Sequence, residues 1–364
     1  MTVTSGSSKR ASQIISVTEG LPMVVRVPMS PQHAPARSER AEQDGAPDAA
    51  TKRAALVVNP IKVDDRASFI DAVERAMRSH GWREPLWFDT TPEDPGRSQA
   101  RRAVDAGADI VLACGGDGTV TECAEGVADR AVPLGILPLG TGNLLARNVG
   151  LPAHWPEALS VALTGVDHPL DSGIVNGRSF VVMAGLGLDA RMLNDTSEPL
   201  KRRLGWVAYV VAALRHVRDR PMRITVVADG GRPARMRASA VIIGNVGWLR
   251  GGLPLMPDAR PDDGYLDAVV LTARGLSGWL ALIAQVVTRR SASHRLTRLR
   301  FRELHVDVDR AQPWELDGEV MGETTELRVS AQPGRLLLRL PPSAAGARQW
   351  AVGEVTGASE PAAT

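Results

Sequence analysis

The sequence has few cysteines, few aromatic residues and little net charge. Its 364 residues include two cysteines, 4% aromatic residues and a formal net charge of +2. Cys114 and Cys123 show no zinc-site spacing and make no disulfide framework, so we expect small buried side chains and a reducing, cytoplasmic compartment. The balanced charge argues against a nucleic-acid partner attracted by bulk positive charge.

Long apolar runs are also missing. The first 20 residues lack the apolar core of a signal peptide, and no segment has the roughly 18 uninterrupted apolar residues of a transmembrane helix. Residues 1–50 and 343–364 are rich in small, polar and charged residues without apolar periodicity. This composition predicts a disordered extension at one end and a flexible tail at the other.

Between these segments the pattern changes once. In residues 51–168, the apolar runs AALVVNP, PLWFDTT, DIVLAC and PLGILPLG alternate with segments of helical spacing. This alternation predicts a doubly wound α/β lobe. Residues 169–334 are mostly β-prone, with hairpin signals such as the Asn-Gly of IVNGRSFVVM, and predict an antiparallel, β-sandwich-like lobe. The predicted fold class is thus α/β plus β, with a last strand near 335–342 packing back on the first lobe.

The segment GGDGTVT at 115–121 follows the apolar run DIVLAC directly. Glycines there can adopt positive φ and let backbone amides approach an anion, and the next helix adds unsatisfied N–H groups and the positive end of its dipole. Thr119 and Glu122 fit a capping box, which predicts that this helix starts at Thr119. A tight turn is the alternative interpretation of the segment alone.

A second loop, LPLGTGN at 137–143, repeats this arrangement, with Asn143 as the expected helix cap. Two such loops at the carboxyl ends of parallel strands can line one nucleotide. Asp117 would repel phosphate unless a cation lies between them, and a Mg²⁺–nucleotide complex supplies that cation. Neither a GxxxxGK[ST] motif nor a GxGxxG fingerprint with a ribose-binding acid is present, so the phosphate site is of another type.

GGDGTVTECAEGV followed by PLGILPLGTGNLLARNVGLP resembles the catalytic domain of the diacylglycerol kinase and sphingosine kinase superfamily, in its soluble bacterial lipid-kinase branch. The resemblance covers residues 54–342 and includes VVNP at 57–60, GLGLDA at 185–190, the segment 242–268 and LDGE at 316–319. It implies transfer of the ATP γ-phosphoryl group to a lipid hydroxyl. Diacylglycerol is the first expected acceptor, and a sphingoid base or another lipid alcohol is the alternative.

The resemblance also implies the site residues, with ATP and Mg²⁺ as cofactors. Asp317 or Glu319 of LDGE would be the base for the substrate hydroxyl, and Asp117 would be a further essential carboxylate. Asp263 would bind Mg²⁺ together with Arg260 and Tyr265, and the substrate cleft would include Asp189 and Asn245. The expected nucleotide contacts are Asn59, Pro60, Ile61, Lys62, Val63, Thr91, Gly115, Gly116, Asp117, Gly118, Thr119, Val120, Thr121, Thr141, Gly142 and Asn143.

The chain departs from the family pattern at one segment, and several of the assigned residues also have an ordinary structural interpretation. The family often has a small residue and a glycine after the first Asn-Pro, whereas this chain has NPIKV, so Lys62 is either a phosphate contact or a solvated loop residue. Asp263 fits an ordinary turn, and Asp317 and Glu319 fit an exposed hairpin. Asp189 fits a capped turn equally well.

The expected partners are a lipid substrate at the membrane surface and a second copy of the chain in a homodimer. Basic residues 201–203 beside the apolar helix LGWVAYVVAALRHV favour peripheral membrane contact, with a core helix as the alternative.

Two other functions stay open. An NAD kinase shares GGDGT, although no matching Asn-Glu pair is present, and NPIKV also suits a nucleotide- or lipid-binding regulator without catalysis.

Overall fold

The computed structural model of the protein describes residues 52–187, 221–249, 253–272, 278 and 296–342. The predicted extension, the predicted tail, Asp189 and the basic segment 201–203 lie outside these described residues. Within the described ranges, no helix combines the length and the apolar character needed to cross a membrane.

The first lobe alternates strands and helices, as predicted. Its strands are β1 (Ala54–Val58), β2 (Leu86–Asp89), β3 (Ile110–Gly115) and β4 (Leu134–Pro138). Its helices are α1 (Arg66–Ser79), α2 (Arg97–Asp105), α3 (Asp117–Val127), α4 (Leu144–Asn148) and α5 (Trp155–Thr164), and a 3-10 turn covers Pro60–Lys62. The four strands pair in parallel in the order β2-β1-β3-β4.

Both faces of this parallel sheet are covered, which explains why β1, β3 and β4 are buried and apolar throughout. In β1, Ala54, Leu56 and Val58 pack in one apolar cluster with residues of α1 and α5, whereas Ala55 and Val57 pack in another with residues of α2 and α3. All five are fully buried. The predicted doubly wound α/β lobe is therefore confirmed.

The described residues of the second lobe form mainly strands. They are β5 (Val166–Val175), β6 (Arg178–Phe180), β7 (Met183–Gly187), β8 (Met222–Ala228), β9 (Ala234–Ala238), β10 (Ala240–Gly244), β11 (Trp248–Leu249), β12 (Leu253–Pro254), β13 (Leu266–Leu271), β14 (Leu296–Phe301), β15 (Glu303–Leu316) and β16 (Glu319–Leu340). These strands pair with one another in antiparallel ladders. The predicted change from α/β to mostly β character is thus confirmed.

One long strand, β16, carries the sheet from one lobe into the other. The first part of β16 pairs with β15, and its last part pairs with β5 and, through Leu338 and Leu134, with β4. Register shifts interrupt both ladders of β16, and such irregularities let a strand bend. A single sheet in the order β14-β13-β10-β7-β15-β16-β4-β3-β1-β2 results. The turn between β15 and β16 consequently lies where the lobes meet.

Candidate active site

The two predicted nucleotide loops meet at the switch point of the parallel sheet. The chain proceeds from β1 outward to β2, then crosses back to β3 and β4, so the winding direction reverses between β1 and β3. Open α/β sheets bind ligands at the carboxyl ends of such strand pairs. Asn59 follows β1, and its amide donates to the Cys114 carbonyl of β3 at 2.9 Å. The loop after β1 is thereby fixed beside the loop after β3.

The glycine loops after β3 and β4 pack against each other. The Leu139 amide donates to the Gly115 carbonyl at 2.9 Å. A methyl group added at Gly140 would lie 2.6 Å from Gly116 Cα and 2.8 Å from Asn143 Oδ1, closer than packed atoms come. Gly115 is equally confined, because an added methyl would lie 2.5 Å from Thr119 Oγ1. These glycines are needed for close packing of the two loops.

The predicted role of positive φ is wrong for these glycines. The glycines at 115, 116, 118, 140 and 142 all lie outside the left-handed region, and the residue that adopts it is Asn143, with φ 47°. Asn143 precedes α4, as the predicted cap should, but its side chain closes the loop on itself. Its Oδ1 accepts from the Gly140 amide at 3.0 Å, and its Nδ2 donates to the Gly140 carbonyl at 2.7 Å.

Helix α3 begins at Asp117, so the prediction of a capping box at Thr119 is wrong. Glu122, its supposed second member, instead pairs with Arg97 at 3.2 Å. Gly116 is the N-cap residue and supplies no side-chain acceptor. The first amides of a helix have no acceptor within the helix, so the uncapped first turn of α3 presents donors and the positive end of its dipole at the switch point.

Asp117 joins the two loops. Its Oδ1 accepts a short hydrogen bond from the amide of Leu144, the first residue of α4. The carboxylate therefore lies between the N-termini of α3 and α4, where both helices favour negative charge. The carboxylate thus lies beside the first turn of α3, whose amides are the predicted phosphate contacts.

The close contact between the two glycine loops should affect the stability of the fold. We expect Gly140→Ala to lower the free energy of unfolding by about 1–3 kcal/mol, because the added methyl overpacks the contact with Gly116. Gly116→Ala is the matched control, since its methyl would lie 3.5 Å from Gly140 Cα, an ordinary distance. Urea denaturation without nucleotide measures both variants. Equal losses in the two would contradict the packing argument.

The segment NPIKV forms the 3-10 turn that follows β1. Asn59 caps it by accepting the Ile61 amide at 3.2 Å, and Ile61 itself is 79% exposed. Lys62 and Thr91 are exposed as well, and the Thr91 hydroxyl accepts the Asp94 amide at 3.2 Å. Both interpretations of Lys62, a phosphate contact and a solvated lysine, agree with this exposure.

The LDGE segment forms the tight turn between β15 and β16. Asp317 and Gly318 have φ of 46° and 94°, and Leu316 pairs with Glu319 across the turn. A two-residue turn with positive φ at both positions is the type I′ hairpin that Asp-Gly favours. The hairpin interpretation of the sequence is therefore correct, but this turn is packed against the first lobe.

Asp317 binds four donors. Its Oδ1 accepts from the amides of Val182 at 3.0 Å and Met183 at 2.8 Å. Its Oδ2 accepts from the Val181 amide at 3.0 Å and the Thr121 hydroxyl at 2.8 Å. Burial raises the pKa of Asp317, and these hydrogen bonds act in the opposite direction. The carboxylate thus connects the hairpin, the segment before β7 and helix α3.

Glu319 has a different environment from Asp317. It is exposed, and its Oε1 lies 3.5 Å from the position that a methyl group on Gly118 would take. Gly118 belongs to the first turn of α3, so Glu319 faces the proposed phosphate site. Of the two carboxylates that the sequence left as alternatives, Glu319 is the exposed one.

The predicted metal ligands lie together on one loop, but the key carboxylate has other partners. Asp263 accepts the Tyr265 amide at 3.0 Å and Arg300 Nη2 at 2.6 Å, one on each oxygen. Burial raises the pKa of Asp263, and Arg300 opposes that effect. A cation bound by this carboxylate would compete with Arg300 and the Tyr265 amide for its two oxygens. The arrangement does not fit the predicted Mg²⁺ site.

The sequence interpretation missed Asp171 and misjudged Asn245. Asp171 is 3% exposed, and its carboxylate accepts the amides of Gly264 at 2.6 Å and Gly334 at 2.7 Å. Asn245 is 1% exposed and donates to the carbonyls of Asp171 at 2.6 Å and Val181 at 3.3 Å. Asn245 therefore lies inside the protein and does not line a cleft. The one sequence signal for Asp171 was an acid inside a β-prone run.

Comparison with known proteins agrees with this architecture. The family model described as the diacylglycerol kinase catalytic domain matches residues 53–175, and the model described as the YegS C-terminal NAD kinase beta sandwich-like domain matches residues 181–339. A "Probable lipid kinase YegS-like" of Pseudomonas aeruginosa strain UCBPP-PA14 is 34% identical over 281 residues, 75% of this chain and 89% of the relative. The corresponding protein of Klebsiella pneumoniae strain 342 is 31% identical over 246 residues, 66% of this chain and 80% of the relative.

Solved structures support the fold. A crystal structure of a diacylglycerol kinase from Bacillus anthracis strain Sterne superposes with a TM-score of 0.66 at 22% identity, covering 80% of this chain and 97% of the other. The predicted sandwich-like second lobe is thereby confirmed. From the matched domains, the similar relatives and the common fold, we conclude that the chain belongs to the diacylglycerol kinase and sphingosine kinase superfamily of ATP-dependent kinases.

Proposed function

We propose that this kinase transfers the γ-phosphoryl group of MgATP to the hydroxyl of diacylglycerol and so forms phosphatidic acid. The observation that carries the proposal is the position of the Glu319 carboxylate, which faces the uncapped first turn of α3. A phosphate-binding helix end and a proton acceptor are thereby opposite each other. Names of similar proteins, which include a lipid kinase and a diacylglycerol kinase, support the acceptor class.

The nucleotide phosphates bind at the two glycine loops in this proposal. Phosphoryl transfer depends mainly on positioning and on neutralisation of charge. The amides at the start of α3 supply donors, and Mg²⁺, which enters with ATP as part of the substrate, separates the phosphates from the Asp117 carboxylate. Asn143 keeps the second loop closed through its paired hydrogen bonds with Gly140.

Glu319 accepts the proton of the lipid hydroxyl as that oxygen attacks phosphorus. A general base needs a carboxylate within hydrogen-bond reach of the hydroxyl, and Glu319 is exposed beside α3. Asp317 is a positioning residue, because its two oxygens already accept four hydrogen bonds. It fixes the turn that carries Glu319 relative to α3.

The acceptor reaches this site from a membrane surface in our proposal, so the protein contacts the membrane peripherally. Diacylglycerol is insoluble in water, and an enzyme that phosphorylates it works at the lipid interface. Juxtaposed basic and apolar segments favour such contact with anionic lipids. The sequence 201–217 has this composition.

A labelled-phosphate assay tests the proposed function. The full chain is incubated with γ-labelled ATP, Mg²⁺ and one of four acceptors: mixed micelles of diacylglycerol, micelles of a sphingoid base, a total bacterial lipid extract, or NAD. We expect label in phosphatidic acid and, in the extract, in the same product by mass spectrometry. Label only in a sphingoid phosphate or another lipid would replace the acceptor, whereas label only in NADP, or no transfer at all, would overturn the lipid-kinase assignment.

A further inference from the structure

Several carboxylates converge at the loop before β13. Asp262 and Asp263 lie on this loop, Asp267 lies in β13, and Asp171 reaches it through the Gly264 amide. Burial raises the pKa of Asp267 to about 6, and the negative charge of Asp263 adds to that rise. Asp262 likewise contributes to the raised pKa values of Asp171 and Asp263, which burial raises most. These carboxylates bring negative charge together at one loop.

Arg300 supplies a positive charge from within the chain. Its Nη2 donates to Asp263 Oδ2 at 2.6 Å, and it pairs with Asp267 across the ladder of β13 and β14. Its guanidinium also lies 4.6 Å from the centre of the Tyr265 ring, in a cation–π contact. Arg300 lowers the pKa values of both Asp263 and Asp267.

Other basic side chains near the loop have described contacts elsewhere than at the Asp263 carboxylate. Arg298 Nη2 donates to the Leu255 carbonyl at 3.4 Å, and His168 contacts Asp262 at 3.3 Å. Arg302 lies 4.8 Å from the centre of the Tyr265 ring. Among the described contacts of the Asp263 carboxylate, the ion pair is the one with Arg300.

We propose that the Arg300 guanidinium is the built-in cation of the 258–265 loop, and that this loop is ordered without a bound divalent ion. A hard cation would compete for this carboxylate, because Asp263 Oδ2 accepts from Arg300 and Asp263 Oδ1 accepts from the Tyr265 amide. A guanidinium carries a permanent charge and donates along fixed directions, whereas Mg²⁺ requires nearly octahedral oxygen ligands. The Tyr265 ring holds the guanidinium against the carboxylate.

Thermal unfolding of the full chain without nucleotide tests this inference. Mg²⁺ that binds the folded protein raises Tm, so the wild-type Tm should be the same in EDTA and in millimolar Mg²⁺ at matched ionic strength. Arg300→Met should lose about 3–8 °C in EDTA and regain a part of that loss in Mg²⁺, because the carboxylates then accept a metal. Arg302→Met is the matched control and should gain no response to Mg²⁺.

Three results would overturn the inference. These are a wild-type Tm that falls in EDTA and recovers with Mg²⁺, an Arg300→Met variant that ignores Mg²⁺, and an equal gain of Mg²⁺ response in Arg302→Met. If Arg300→Met does not fold, Arg300→Lys keeps the charge and should remain insensitive to Mg²⁺, while the wild-type comparison stays decisive by itself. None of these measurements uses ATP or lipid, so their failure is independent of the proposed kinase reaction.

Discussion

Replacing Glu319 with glutamine is expected to lower kcat for phosphoryl transfer by about 10²–10⁴-fold, the usual contribution of a general base. The amide keeps the size of the side chain but cannot accept the proton of the attacking hydroxyl. The residue is exposed, so the substitution should leave the unfolding midpoint nearly unchanged. Initial rates at saturating ATP and lipid, together with a thermal unfolding curve, measure both effects.

Glu323→Gln is the matched control for this prediction. Glu323 is another exposed glutamate of β16, and it pairs with Pro313 of β15 farther along the hairpin. Its replacement removes the same charge and should leave kcat unchanged. Near-normal turnover in Glu319→Gln would show that another group accepts the proton, and equal losses in both variants would indicate an effect of overall charge.

Replacing Asp317 with alanine is expected to lower the free energy of unfolding by about 3–5 kcal/mol, since a buried acceptor is removed from several donors at once. The amides of Val181, Val182 and Met183 and the hydroxyl of Thr121 would lose their partner together. Urea denaturation measures the loss. The backbone adds a second contribution to the loss in free energy of unfolding, because alanine tolerates the φ of 46° poorly.

The Asp317→Asn variant separates the effect of the lost hydrogen bonds from the effect of the backbone conformation. Asparagine accepts positive φ as readily as aspartate does and keeps one acceptor oxygen, so its loss should be smaller than that of alanine. Burial raises the pKa of Asp317, so its contribution to stability is full below the unfolded-state pKa and declines as pH rises through the folded-state value. The wild type should therefore lose more stability than Asp317→Asn over that rise in pH. Full stability in Asp317→Ala would contradict the positioning role.

The fold and the location of the candidate site could be predicted because the signals were local. Alternating strand and helix periods defined the α/β lobe, and two glycine loops after successive strands indicated the proposed phosphate site. The structural reason for glycine in the two loops could not be predicted from local sequence. Gly140 is confined by Gly116, a residue of the neighbouring loop, and only the packed sheet brings the two together.

Several of the errors concern contacts between distant parts of the chain. Asp171 binds the amides of Gly264 and Gly334, which lie 93 and 163 residues away, and no local pattern reports such a pairing. Arg300 lies 37 residues beyond Asp263, so the turn sequence gave no sign that its carboxylate was already paired. Asp317 and Glu319 are two residues apart but have different surroundings. Asp317 accepts hydrogen bonds from three backbone amides and the Thr121 hydroxyl, whereas Glu319 lies beside Gly118 in the first turn of α3.

The long strand β16 has a consequence for how the protein is made. Leu336, Leu338 and Leu340, at its end, are buried in the same apolar cluster as Ala55 and Val57 of the first strand. Although most of the nucleotide lobe is encoded before residue 165, its sheet stays open beside β4 until these leucines have left the ribosome. Domains usually complete folding in the order of synthesis. Here the lobe that is translated first cannot close its core before the lobe that is translated second has been made.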